Sequence, residues 1–272
     1  MKIYNKLLLL IIGFIIISCE DVIDADLNTA APRLVIDASI DWIKGTAGNE
    51  QKIVLSTTTG YYSPTFPSVS GAVITVTNTA GIIFTFAESG TTGEYICTDF
   101  QPLMGDSYQM KIVLNGETYT ATETLTPAPD IMETIEQDND GGFGDEIEIT
   151  FYYQDDPAVR NYYLFGVRSQ RVAFPQYEVE DDEDSQGNIV PEYYSHEDLK
   201  LGDVVNIRLY GISEHYYNYM NKLIIASGAE AGPWPATPSA VRGNIVNQSN
   251  SQNFAFGYFR AAEVAIRDYT IQ

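Results

Sequence analysis

Histidine, cysteine and basic residues are all scarce in this chain, and each scarcity narrows what it can do. Two histidines, His196 and His215, leave little for the common acid–base and metal-binding arrangements. No HExxH zinc motif, CxxC pair, GxSxG nucleophile elbow, Walker loop or GxGxxG fingerprint occurs. Ser, His and Asp can meet from distant positions, but nothing in the sequence points to such a triad. Glycoside hydrolysis needs only two carboxylates at the correct separation, and 37 acidic residues single out no pair. The expectation is a protein that is not an enzyme.

Basic residues number 15 against those 37 acidic ones, a net charge of −22. A field of that sign repels phosphate backbones and anionic headgroups, so nucleic acid is not an expected partner. Neutral and cationic ligands are both compatible with it.

Long apolar runs are absent too, except at the N-terminus. Lys2 and Lys6 precede an eleven-residue run from Leu7 to Ile17, followed by Ser18, Cys19, Glu20 and Asp21. The run falls short of the roughly 20 apolar residues that a spanning helix needs. Ile15, Ile16 and Ile17 occupy the place of an A-x-A secretory site, whereas a small residue before cysteine is how a bacterial lipoprotein signal reads. Residues 1–18 are therefore expected to be a signal peptide and Cys19 the lipidated first residue of the mature protein. More than one acyl chain, at about 0.8 kcal/mol per buried methylene, makes a stable membrane anchor. Loss of Lys2 and Lys6 would leave 13 basic residues against 37 acidic, a net −24. Cys97 would remain as a lone thiol with no disulfide partner, so stability must come from buried area, for which 254 residues are ample.

Residues 19–32 are short, polar and acidic and read as a tether. Residues 33–126 then show period-2 runs separated by turn residues, the pattern of an antiparallel sandwich. Leu34, Ile36, Ala38 and Ile40 fall on one face of the first run, and Asp37, Ser39 and Asp41 on the other. Further strands are predicted at 52–57, 73–78, 82–87, 94–98, 107–114 and 117–125. Seven strands in so short a span is an immunoglobulin-like count. Asn115-Gly116 between the last two supplies the positive φ angles of a type I′ hairpin.

Pro127 and Pro129 mark a boundary, and residues 127–272 read as a second β-rich domain with one packed helix. Strands are predicted at 146–153, 161–167, 204–211 and 263–271. The helix, about 214–226, has Ser213 as N-cap, a stripe of Tyr216, Tyr219, Met220 and Leu223, and Gly228 to end it. Tyrosine pairs recur at 152–153, 162–163, 193–194 and 216–217. Adjacent tyrosines on a strand point to opposite faces, so one ring can enter the core while the other meets solvent or ligand. The fold class is thus mainly β: an immunoglobulin-like sandwich followed by a β-rich domain.

Two acidic clusters are candidates for calcium, which takes several oxygen ligands. In the first, Asp138, Asp140 and Asp145 lie among glycines that let a loop wrap an ion, although the EF-hand spacing is not met. The second, Glu178 to Asp184, packs six carboxylates into seven residues and reads more simply as a solvated, mobile loop. Candidate ligand-contact aromatics are Tyr61, Tyr62, Trp234, Tyr258 and Phe259.

Several segments together resemble a known family. SCEDVIDADL (18–27) with Arg33-Leu34-Val35-Ile36 resembles the start of the Bacteroidota outer-membrane lipoprotein family called domain of unknown function 4249. Phe151 to Tyr163, with Asp156-Pro157 and Asn161-Tyr162-Tyr163, resembles its middle. Trp234-Pro235, Val241-Arg242-Gly243-Asn244-Ile245 and Phe256-Gly257-Tyr258-Phe259 resemble its end. The resemblance implies an outer-membrane lipoprotein of a kind often found alongside TonB-dependent transporters; with the lipid anchor, the two-domain β body, the aromatic-rich C-terminal domain and the lack of catalytic signatures, the expectation is a ligand-capture or accessory subunit at the cell exterior beside such a transporter. The resemblance carries over no catalytic residue. The acidic Glu20-Asp21 also resembles the signals that send such lipoproteins to the surface. A structural or adhesive surface protein is the alternative, and a hydrolase a more distant one. Glycine before two aromatics, as at Gly257, suits a bulge or a close backbone approach.

Overall fold

In the first strand, β1 (Leu34–Ile43), Ile36, Ala38 and Ile40 are wholly buried, while Asp37, Ser39 and Asp41 project from the other face. The computed structural model describes residues 31–60, 63, 65–141, 146–228 and 241–272. Six more strands follow: β2 (Gln51–Thr57), β3 (Val73–Asn78), β4 (Ile83–Glu88), β5 (Glu94–Cys97), β6 (Ser107–Leu114) and β7 (Glu117–Thr124). They form two layers, with β1, β2 and β5 in one and β3, β6 and β7 in the other. Strand β4 turns the corner, pairing with β3 through Ile83–Phe86 and with β5 through Ala87 and Glu88. Ile36, Ile53 and Tyr95 meet Ile74, Met110 and Tyr119 in the core between the layers. At the β6–β7 hairpin, Asn115 (φ 52°) and Gly116 (φ 79°) take the left-handed angles that a type I′ turn requires.

The second half begins with β8 (Ile131–Gly141), β9 (Glu146–Gln154), β10 (Tyr162–Ser169), β11 (Gln176–Asp181), β12 (Ile189–Ser195) and β13 (Val204–Ile212). A three-stranded sheet, β12-β9-β8, packs on β10 and β13 through Phe151, Tyr153 and Tyr194 against Phe165 and Leu209. Helix α1 (Glu214–Ser227) covers the opposite face, where Tyr216 and Met220 meet Leu164, Tyr210 and Val264. Ser213 Oγ accepts from Tyr216 N–H at 3.2 Å, and Gly228 (φ 85°) closes the helix. Ile224 is buried on α1, whereas Leu223, expected on the apolar stripe, is 39% exposed.

Two further strands, β14 (Val246–Asn247) and β15 (Phe256–Thr270), complete a twelve-stranded sheet. Strand β15 runs parallel to β1 from Phe256 to Val264 and antiparallel to β13 from Val264 to Thr270. Phe259 and Ala261 enter the first core and Ala265 the second, so one strand serves both halves. Parallel pairing demands close approach at its start. A Cβ on Gly257 (φ 98°) would sit 1.9 Å from Ile36 O, which gives this glycine the close-approach role its place in the sequence suggested.

Two acidic stretches differ from expectation. Glu178 to Asp181 of the expected loop lie in β11, an edge strand paired with β10, where a charged row is tolerated because one side of the strand has no neighbour among the described residues. Asp138 and Asp140 lie at the exposed end of β8.

Candidate functional site

Two clefts of similar size open on the fold, the first lined by both halves and the second by the second half. The first, about 500 Å³, lies beside α1 on the face of the sheet that turns away from the sandwich core. Strand alternation builds it: Asp37, Ser39 and Asp41 point into it from β1 because Ile36, Ala38 and Ile40 point into the core. By the same alternation β2 supplies Lys52, β13 supplies Arg208 and Tyr210, and β15 supplies Arg260, while α1 adds Tyr216 and Met220.

Arg260 is the anchor of this cleft and is only 8% exposed. Its Nη2 donates to Asp41 Oδ1 and Oδ2 at 2.7 and 2.8 Å, and its Nη1 donates to Tyr216 Oη at 3.0 Å. The guanidinium carbon lies 4.6 Å from the centre of the Tyr210 ring and 5.2 Å from that of Tyr216, within cation–π range. Burial pulls the guanidinium pKa down, but Asp41, Tyr216 and Tyr210 more than offset this and leave it raised. Asp37, on the same wall, has its carboxyl pKa raised by the surrounding protein, opposed by Arg260 and reinforced by Asp41. The Arg260 Nε is buried with no hydrogen-bond partner.

The second cleft, about 510 Å³, lies between β11 and β12. Glu178 and Glu180 from β11 and Glu192 from β12 line it, with the rings of Tyr153, Tyr193 and Tyr217. Burial, reinforced by Glu180 and then Glu178, pushes the Glu192 carboxyl up to about 8. Among the described residues no lysine or arginine lines this cleft. Arg160 is engaged beside it, 3.7 Å from Asp181 and 3.3 Å from Glu183.

Two of the aromatics expected to contact ligand, Tyr258 and Phe259, line neither cleft. Phe259 has no exposed surface and is part of the sandwich core, and Tyr258 is 7% exposed, its hydroxyl donating to Glu123 Oε2 at 3.0 Å. Both are packing residues, which corrects the contact role expected of them: β15 is covered on both faces here, so neither ring meets solvent. Cys19, Tyr61, Tyr62, Trp234 and Asp145 lie outside the described residues. Asp138 and Asp140 are exposed, and Asp138 Oδ1 accepts from Asp140 N–H at 2.9 Å, turning that carboxylate toward its own backbone. Among the described residues no three or more His, Cys, Asp or Glu side chains are grouped to hold a metal. His196 Nδ1 accepts from Asp198 N–H, and His215 lies exposed in the first turn of α1.

Sequence reasoning found the polar face of β1 but not its partner. Arg260 is a single basic residue between the apolar pairs Tyr258-Phe259 and Ala261-Ala262, and that isolation was the available signal.

A family model described as Domain of unknown function (DUF4249) matches residues 20–267. No curated protein matches the chain. Among solved structures it is similar to a cytokine receptor complex, with 9% identity over 65% of this chain and 82% of the other and a TM-score of 0.25. It is also similar to a two-domain fibronectin type-III segment from chicken tenascin (12% identity, 66% and 90% covered, TM-score 0.22). A DUF4785 family protein from Legionella pneumophila gives 10% identity, 65% and 52% covered, and a TM-score of 0.25. At these scores the likeness carries no argument, and the fold class rests on the strand ladders themselves.

Proposed function

The chain belongs to the DUF4249 family, and on that premise we propose that it is a lipid-anchored outer-membrane protein that captures a polar ligand at the cell surface beside a TonB-dependent transporter. The observation that carries the reading is Arg260, fixed by Asp41 and Tyr216 in the wall of a cleft of about 500 Å³. A charged group already locked in place has little freedom left to lose when ligand arrives, which favours binding. The cleft stands on sheet and helix rather than on loops, so its walls are held by the two cores beneath it. The N-terminal signal and Cys19 support the membrane anchor, and the acidic surface suits a neutral or cationic ligand.

Purification from the native membrane in mild detergent tests this reading. A β-barrel partner should co-purify, and Cys19→Ala should abolish acylation and membrane retention. A clean monomer in native detergent, or an unmodified Cys19 thiol, would overturn it.

A further inference from the structure

We propose that the hollow over Gly166, on the outer face of β10, β11 and β13, binds a small organic carboxylate attached to a ring. This goes beyond the capture reading by assigning a second site and the charge of its ligand, and its argument stands on the hollow alone.

The strand register builds the hollow. Gly166 on β10 is paired with Tyr177 of β11 on one side and with Arg208 of β13 on the other. The next row of the same face sets Arg168 against Asn206 and, one strand further on, Asp268. Glycine leaves a gap in a sheet face where any other residue would place a side chain. Bounded by Arg168, Pro175, Tyr177, Asn206, Arg208 and Tyr210, this gap has a volume of about 210 Å³. The Tyr177 ring lies against its floor, since a Cβ on Gly166 would stand 2.9 Å from Tyr177 Cε1. Tyr177, Arg208 and Tyr210 also line the first cleft, so the two adjoin.

Charge is the second observation. Basic residues are outnumbered 15 to 37 in this chain, yet two arginines and, among the described residues, no carboxylate line the hollow. Arg168 and Arg208 occupy diagonal positions of adjacent strands, typically about 7–8 Å apart and within reach for long side chains, where like charges repel. Among the described residues Arg168 makes no side-chain hydrogen bond or ion pair. Arg208 Nε donates to Asn206 Oδ1 at 3.0 Å, while Asp268 Oδ1 accepts from Asn206 Nδ2 at 2.6 Å. Asn206 therefore fixes Arg208 without cancelling its charge.

An anion between the two guanidiniums removes their repulsion. Forked N–H donors match the two oxygens of a carboxylate, and Tyr177 with Pro175 offers apolar surface to the ring that carries it. The net charge of −22 opposes an anion at a distance, but at physiological ionic strength exposed charges more than about 8 Å away are largely screened. Contact is then decided by the guanidiniums of the hollow.

Para-fluorobenzoate is the probe, titrated into the purified full-length protein in non-ionic detergent and followed by fluorine NMR, with para-fluorobenzamide as the uncharged control. A saturable shift is expected for the acid and none for the amide. Arg168→Gln should weaken binding about tenfold, and Arg168→Lys, which keeps the charge but loses the fork, about threefold. Both variants should melt with the parent, because Arg168 is exposed. Gly166→Ala keeps both arginines but forces the Tyr177 ring to move, and should weaken binding about threefold. Absence of a saturable shift, equal binding of the amide, binding unchanged by Arg168→Gln, or displacement by equimolar inorganic phosphate would each overturn the proposal. The titration needs no partner protein, so loss of the transporter association leaves it untouched, and the reverse holds as well.

Discussion

Arg260 and Asp41, on neighbouring parallel strands, meet through a single nitrogen that contacts both carboxylate oxygens at 2.7 and 2.8 Å. The arginine is almost fully buried and the aspartate partly open to the cleft, so removing either one has an unequal effect. Asp41→Ala leaves a buried cation without its counter-charge and should destabilise the protein by about 3 kcal/mol in urea denaturation. Replacing both, as Asp41→Leu with Arg260→Met, should recover most of that loss. A single Asp41→Ala variant with unchanged stability would show that the pair is not a strong constraint on the sheet.

Gly257→Ala tests the parallel seam. The new Cβ would lie 1.9 Å from Ile36 O, and an L-residue at φ 98° is strained in any case. β1 and β15 would have to part, at a cost of about 3 kcal/mol or more. Hydrogen exchange should report it first in the amides of Val35 to Ile40.

The Glu192 carboxyl, raised to about 8 from 4.5, gives stability a definite pH slope. In that window the folded state binds more protons than the unfolded one, so stability is greatest below about 4.5 and falls as pH rises through 8. Glu192→Gln should match the parent below about pH 4.5 and exceed it by about 2 kcal/mol at alkaline pH. Parallel stability–pH curves for the two proteins would contradict this.

Asp203 behaves oppositely. Arg171 holds it through bonds of 2.6 and 2.7 Å, Lys200 N–H donates to it at 2.9 Å, and its carboxyl is lowered to about 2 from 3.8. Its contribution is present above 3.8 and is lost as pH falls through 2. Asp203→Asn should therefore lower Tm at neutral pH, and the two melting curves should converge in strong acid.

Much of the fold was readable because the first seven strands have one buried and one open face. Ile36, Ala38 and Ile40 against Asp37, Ser39 and Asp41 is a signal that needs no tertiary knowledge. The signal vanishes where both faces are covered. From Tyr258 to Ala262 every residue of β15 is buried, so alternation disappears, and the strand was expected to start only at Glu263. It also fails where charge mimics a loop, as in β11, whose carboxylates lie on an edge. The tyrosine pairs followed the expected division, with Tyr153, Tyr163 and Tyr194 inside and Tyr193 outside. The clefts were not readable as such, because each joins residues more than ten positions apart: Asp41 with Arg260, and Glu178 with Glu192.

Because β15 closes the hydrogen-bonding edge of β1, an early strand of the fold waits for a much later one. During synthesis β1 remains with a bare strand margin until more than 200 further residues have followed it. Such long-range closure makes assembly slow and leaves the nascent polypeptide dependent on being kept apart from its neighbours.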